Sequence, residues 1–170
     1  NTYAFALRQE VADQGGFETV SDLAAVAESM KLGVDTTWLE RSDIGYPVFV
    51  RHYGFEFGET FPMEISLVYE AAANEEVDVV LAYTTDARIK AFNLKTLKDD
   101  KQFFPPYDAA AVARNDLLER YPELKDVLGV LSGNISAEEM VELNYAVDVE
   151  GKTPREAARS FLAVKGLLSE

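Results

Sequence analysis

The chain has 170 residues, 48% of them hydrophobic and 27% charged, and a formal net charge of −14 at pH 7. This length allows one substantial core in one domain or one and a half, and the composition is that of an ordinary globular protein. The acidic balance argues against nucleic-acid binding, which needs clustered Lys and Arg; it is compatible with attracting small cations, although a charge of this size usually serves solubility.

Cysteine is absent, which excludes disulfides, thiolate metal sites and cysteine nucleophiles. No run approaches the roughly 20 apolar residues that cross a bilayer, and no basic-then-apolar signal segment is present. The chain begins at Asn1 without an initiator Met and enters an apolar run almost at once. We therefore expect a piece of a larger protein whose export signal lies upstream.

Strand and helix patterns alternate over the first hundred residues. Apolar runs predict strands over residues 3–8, 31–35, 63–65 and 77–83, with a more exposed strand over 96–100. Between them we expect a weak helix ending at Gly15-Gly16, a helix with Ser21 as N-cap, a helix over 43–53 that ends at Gly54, and a helix from Ser66 to Ala73. The alternation predicts an α/β layer with a largely parallel sheet.

The pattern changes after Pro105-Pro106. Residues 109–113 are expected to be extended, and helices follow, with Asn115 as a cap, Pro122 at a first helical position and capping boxes that begin at Ser136 and Thr153. Two apolar faces lie on these helices: Leu124, Val127, Leu128 and Leu131, and then Ala157, Phe161, Val164 and Leu168. The two faces either pack on the α/β layer or belong to a lobe whose other half is missing.

The residues give little support for catalysis. His52 is the single histidine, and neither a Gly-x-Ser-x-Gly turn nor a Gly-rich phosphate loop follows an apolar strand. We therefore predict no enzyme activity, no catalytic residues and no cofactor, and the lack of His and Cys clusters argues against a metal site.

Tyrosines at strand ends give a better signal for ligand binding. Tyr83 ends the most apolar strand, Tyr3 begins the first strand, and Tyr107 follows the stiff Pro105-Pro106 pair. In open α/β sheets, ligands bind at the carboxyl ends of strands, and aromatic faces suit a methylated ammonium ion, which donates no strong hydrogen bond. By composition alone such tyrosines are more often core or rim residues, so both interpretations stay open at this point.

Several blocks of sequence resemble, in order, the substrate-binding proteins of glycine betaine/carnitine/choline ABC transporters. The resemblance extends over the whole chain but matches only the C-terminal part of such a protein. The blocks include Asn1-Thr2-Tyr3-Ala4, Arg41-Ser42-Asp43-Ile44-Gly45-Tyr46-Pro47, Tyr83-Thr84-Thr85-Asp86, Asp99-Asp100-Lys101-Gln102-Phe103-Phe104-Pro105-Pro106-Tyr107 and Leu143-Asn144-Tyr145-Ala146-Val147-Asp148.

The resemblance implies a periplasmic-binding-protein-like (type II) fold with two lobes that close on a ligand. Residues 1–104 would be the second α/β lobe, and residues 105–170 a crossover strand and helices of the first lobe, whose N-terminal part is missing. The family's ligand-cage tyrosines match Tyr3, Tyr83 and Tyr107. Arg41 matches a residue that holds the ligand carboxylate, and Asn1 falls at another ligand-lining position. One departure is an extra residue between Arg41 and Tyr46.

The resemblance further implies an extracytoplasmic receptor that delivers a quaternary-ammonium ligand to an ABC permease. Contact with the membrane would come only through an anchor or a fused permease outside this chain. Two alternatives remain from the residues themselves. One is a small α/β hydrolase or transferase, and the other is a regulatory or interaction domain of the same fold that binds no ligand.

Overall fold

The computed structural model describes residues 1–168, which form an α/β unit followed by helices. The strands are β1 (Tyr3–Arg8), β2 (Lys31–Asp35), β3 (Glu59–Met63), β4 (Val79–Tyr83) and β5 (Leu94–Thr96). The helices are α1 (Gln9–Gly15), α2 (Thr36–Glu40), α3 (Tyr46–Tyr53), α4 (Ile65–Ala73), α5 (Ala87–Ala91), α6 (Asn115–Arg120), α7 (Leu124–Gly129), α8 (Ala137–Asp148) and α9 (Pro154–Val164). Two 3-10 turns, Val20–Ala25 and Ala27–Ser29, lie between α1 and β2.

The five strands form one mixed sheet in the order β3-β2-β4-β1-β5. Strand β2 is parallel to β3 and β4, whereas β1 is antiparallel to β4 and β5. Four strands therefore run in one direction and only β1 opposes them, which confirms the predicted α/β class with a mostly parallel sheet. Since β1 is reversed, its first residue lies at the edge where β2 and β4 end, with Tyr3 opposite Tyr83.

Both faces of the sheet are covered. On β1, Phe5 and Leu7 belong to one apolar cluster with Trp38 and Phe49, while Ala6 belongs to a second cluster beneath α4. This division follows from the alternation of side chains along a strand. Burial of a side chain as large as Phe5 contributes about 1.5–3 kcal/mol. Coverage on both faces explains why β1 and β4 are apolar almost throughout.

The clearest sequence signals are confirmed. Strands β1 and β2 have the predicted bounds, and the strand predicted over 77–83 is β4, two residues shorter. Gly54 ends α3 in the left-handed conformation. Ser136 and Thr153 cap α8 and α9, each with a Glu that closes the capping box.

Two predicted caps in the α/β unit are wrong. Thr19, not Ser21, begins the 3-10 turn, because the Asp22 carboxylate three residues later accepts the Thr19 N–H at 2.7 Å. Ser66 lies inside α4, which starts at Ile65 after Glu64. The reason is the parallel pairing of β3 with β2, which places the strand at Glu59–Met63 instead of 63–65.

Three further boundaries differ from the prediction. Strand β5 spans Leu94–Thr96 instead of 96–100, since the ladder with β1 ends at Thr96 and Lys98 turns away to bridge Thr19. Helix α6 follows Arg114, so Asn115 is its first residue and not its cap. Pro122 lies in a turn before α7.

Residues 105–114, where we expect a crossover strand, carry no helix or strand. Beyond them, α8 packs against α5 and α9. Within residues 115–168 only Ala157 is buried, and Val127 and Val164, from the two predicted apolar faces, are 61% and 87% exposed. None of the helices in residues 1–168 is both long and apolar enough to cross a membrane.

Candidate functional site

Two of the predicted tyrosines meet at the edge where β1 begins and β4 ends. Tyr3 and Tyr83 are directly opposite in the antiparallel register. Their ring centroids are 5.0 Å apart at an interplanar angle of 30°. Both side chains are half-buried, and Tyr3 packs against the apolar cluster that contains Phe5.

Tyr107 joins them from the segment that leaves the α/β unit. Its backbone N–H donates to the Asn1 carbonyl at 2.9 Å, and its ring stands edge-on to Tyr3 at a centroid distance of 6.1 Å. Tyr107 is 43% exposed, so part of its ring is accessible. We call Tyr3, Tyr83 and Tyr107 the tyrosine cluster. The Tyr3 and Tyr107 rings meet nearly at right angles, and a cation is attracted to a ring face when it lies within about 6 Å of the ring centre.

The phenol of Tyr83 keeps its proton at neutral pH. Burial raises the pKa of Tyr83 to about 12, with a further contribution from the neighbouring Tyr3 hydroxyl. The charges of Asp35 and Arg41 also act on Tyr83, in opposite directions. A neutral, electron-rich ring is the form that attracts a cation at its face.

Arg41 lies beside the cluster, immediately after α2. Its guanidinium makes a two-point contact with the Asp43 carboxylate, with N–O distances of 3.0 and 2.8 Å. This contact raises the pKa of Arg41 and lowers the pKa of Asp43 to about 2. Tyr107 and Tyr3 make smaller contributions that also raise the pKa of Arg41.

A tight turn determines where the Arg41 backbone lies. The Gly45 N–H donates to the Arg41 carbonyl at 3.1 Å. A Cβ on Gly45 would come within 2.1 Å of that oxygen and 2.6 Å of the Trp38 carbonyl. The close approach therefore requires glycine. Direct contacts thus join Asn1, Tyr3, Tyr83 and Tyr107, and Arg41 is close enough to lower the pKa of Tyr83.

A cavity of about 590 Å³ extends this site, and no pattern in the sequence predicts it. It runs from Asn1 and Tyr83 to the start of α5 and to one side of α8, where Asn144 and Asp148 contribute to its lining. The Asn144 amide donates to the Thr85 carbonyl at 2.7 Å. The contact joins residues 59 positions apart in the chain, and no local pattern indicates such a pairing.

His52 and the acidic side chains lie outside the tyrosine cluster. His52 is exposed, with its Nε2 atom 3.0 Å from the Lys101 carbonyl oxygen. Within residues 1–168, no group of three or more His, Asp or Glu side chains is placed to hold a metal ion. The arrangement suits binding of a cation between aromatic faces, with an anionic group near Arg41.

Comparison with known proteins gives a matching family model and similar proteins. A family model described as the substrate binding domain of an ABC-type glycine betaine transport system matches residues 1–164. The chain is 48% identical to the carnitine transport binding protein OpuCC of Listeria monocytogenes, over 95% of this chain and 53% of that protein. It is 38% identical to the ergothioneine transport permease/ergothioneine binding protein EgtU of Helicobacter pylori, over 98% of this chain and 30% of EgtU.

A crystal structure of a glycine betaine/carnitine/choline ABC transporter protein superposes with a TM-score of 0.92 at 51% identity, covering 98% of this chain and 61% of that one. The fold is therefore periplasmic-binding-protein-like, as the family resemblance implies. The chain spans about half the length of the carnitine-binding relative.

Proposed function

The chain belongs to the family of substrate-binding domains of ABC-type glycine betaine transport systems, and on that premise we propose that it helps to bind a quaternary-ammonium osmoprotectant for import. Glycine betaine, choline and carnitine are the candidate ligands. The tyrosine cluster is the observation that carries the proposal, because three rings on one edge present the faces that a methylated cation needs. Each ring contributes about 0.5–2 kcal/mol, depending on how completely water is excluded.

The carboxylate of a betaine or carnitine ligand is assigned to Arg41, with Asn1 at the rim of the site. A guanidinium has five N–H donors, and Asp43 engages only two of them. A ligand carboxylate therefore binds the remaining N–H donors, or it competes with Asp43 for the two that Asp43 engages. Choline lacks a carboxylate and would leave the Arg41–Asp43 pair intact.

The proposed architecture has two lobes. Residues 1–104 form the second lobe, and residues 105–170 return to supply helices of a first lobe. The exposed apolar side chains Val127 and Val164 support this division, since each lies on a face that needs a partner. Closure of the lobes would dehydrate the ligand and strengthen both its cation–π and its ionic contacts.

The proposed setting is outside the cytoplasm, with an ABC permease as partner. EgtU supports a close relation to a permease, because its name joins a permease and a binding protein in one chain. Membrane contact is assigned to an anchor or a fused permease outside this chain. The ligand is bound and released unchanged, so the proposal includes no enzymatic step.

Titration calorimetry on the full-length protein tests this proposal. We expect measurable heat and a 1:1 complex with at least one of glycine betaine, choline, carnitine and proline betaine. Heat from none of the four would rule out the osmoprotectant assignment.

The tyrosine cluster is tested with matched single substitutions. We expect Tyr83→Ala and Tyr107→Ala each to weaken binding at least tenfold, about 1.4 kcal/mol. Tyr121→Ala is the control, because Tyr121 is 44% exposed and lies between α6 and α7. The ligand affinity of this variant should stay within twofold of that of the unsubstituted protein. Unchanged affinity in both cluster variants would show that the rings do not hold the ligand.

A further inference from the structure

The turn that precedes Tyr107 is tied to α3 by part-buried hydrogen bonds. The Tyr53 hydroxyl, at the end of α3, donates to the Asp99 carboxylate. The other oxygen of Asp99 accepts the Phe104 N–H at 2.7 Å. One carboxylate thus joins a helix to a backbone position three residues before Tyr107.

Other contacts restrain the same turn. The Lys101 N–H donates to the Tyr53 hydroxyl at 3.2 Å, and the Lys101 ammonium reaches the Tyr53 carbonyl at 3.2 Å. Gln102 has a φ of +53°, in the left-handed region that non-glycine residues rarely adopt. Such a conformation persists only where the surroundings hold it, and Tyr53 is the side chain around which this turn is organised.

The turn has a direct path to the tyrosine cluster. Phe104 is 8% exposed, and its ring lies 5.7 Å from that of Tyr3. Pro105 and Pro106 then limit backbone freedom, and the Thr2 hydroxyl donates to the Pro105 carbonyl at 2.7 Å. A shift of Phe104 is therefore transmitted to Tyr107 along a stiff segment, and to Tyr3 by ring contact.

We propose that Tyr53 and Asp99 are positioning residues for the ligand site, which hold Tyr107 at the angle and distance that complete the tyrosine cluster. Neither residue is assigned a contact with the ligand. This inference rests on the proposed function, since it concerns the affinity of the same cation site.

The test compares two hydroxyl deletions on one helix. Tyr53→Phe removes the group that binds Asp99. Tyr46→Phe is the matched control, because the Tyr46 hydroxyl, also on α3, accepts the Phe57 N–H at 2.8 Å, away from residues 99–107. With the full-length protein and whichever of glycine betaine, choline or carnitine binds best, we expect Tyr53→Phe to weaken binding about five- to tenfold. Tyr46→Phe should change it less than twofold, even where thermal stability falls.

A double-mutant cycle separates positioning from general destabilisation. If Tyr53 acts through Tyr107, the Tyr53→Phe effect should shrink to less than twofold in a Tyr107→Ala background. Equal losses in both backgrounds, or no loss in either, would overturn the inference and leave the proposed function standing. Absence of binding in the unsubstituted protein would overturn both.

Amide hydrogen exchange gives a second measurement that needs no ligand. In Tyr53→Phe we expect the Phe104 and Tyr107 amides to exchange at least tenfold faster than in Tyr46→Phe. Unchanged protection of both amides would overturn the inference, because the turn would then hold its place without Tyr53.

Discussion

The α/β unit (residues 1–104) and the C-terminal helices (residues 115–168) have equally clear sequence patterns and very different packing. Both contain apolar stripes and well-formed caps. Yet the buried hydrophobic residues lie between Ala4 and Phe104, with Ala157 as the single exception among residues 115–168. The difference shows that local patterning determines where a helix forms, while burial depends on whether a partner surface is present.

The largest expected difference between the two regions is in the stability lost when one apolar side chain in each is truncated. Phe5 is fully buried against Trp38, Phe49 and Phe57, so Phe5→Ala should lower the free energy of unfolding by about 3–5 kcal/mol. Val164 is 87% exposed, and in the 170-residue chain Val164→Ala should change the free energy of unfolding by less than about 0.5 kcal/mol. Urea denaturation measures both, and similar losses would mean that the C-terminal helices bury Val164.

Glycines allow a second, smaller comparison. Gly45→Ala places a methyl group against two backbone oxygens, and we expect a loss of about 1–3 kcal/mol. Gly129 ends α7 without a positive φ, and a methyl group added there would meet no atom within 4 Å. Gly129→Ala should therefore be neutral or stabilising by up to about 1 kcal/mol. The same denaturation series measures both, and tolerance of Ala at position 45 would disprove the close approach to Arg41.

The smallest expected effect is a loss of stability at alkaline pH, which arises from Tyr83 in the α/β unit. The pKa of Tyr83 rises from 10.0 to about 12 on folding, chiefly through burial. Between these values the unfolded chain has lost a proton that the folded chain keeps. The stabilisation is therefore complete below about pH 10 and is lost as the pH rises towards 12. Burial also raises the pKa of Tyr53 and Tyr69.

Urea midpoints between about pH 8 and pH 11.5 measure this loss. Tyr83→Phe cannot ionise at this position, so its midpoint should fall less steeply above about pH 10 than that of the unsubstituted protein. Parallel curves would contradict the raised pKa of Tyr83.

Much of the fold follows from the sequence where one pattern dominates. The apolar runs of β1 and β2 predict their bounds, because strands buried on both faces tolerate few polar residues. The predicted boundaries are wrong where two nearby residues could each cap the same helix or turn. Thr19 and Ser21 are both good caps, and only the position of Asp22 decides between them. The five-residue helices α2 and α5 are too short for a periodic signal.

The sequence also predicts part of the candidate site. Tyr3 and Tyr83 follow from the strand ends, and Arg41 and Asn1 from the family resemblance. Their convergence depends on the reversed direction of β1, which no single segment reveals. The Tyr53–Asp99 contact and the Asn144–Thr85 contact join residues 46 and 59 positions apart, so they depend on tertiary structure alone.

The hydrogen bond from Tyr107 to Asn1 has a consequence for protein engineering. It brings the start and the end of the stretch from residue 1 to residue 107 to within one backbone contact, 2.9 Å between the nitrogen and the oxygen. All five strands lie between these points. Units with adjacent ends tolerate circular permutation and insertion into other chains. We therefore expect that a short glycine-rich linker can join residue 107 to residue 1 in a circular permutant. We also expect that the stretch from residue 1 to residue 107 can be inserted into an exposed loop of another protein with its tyrosines still on one edge.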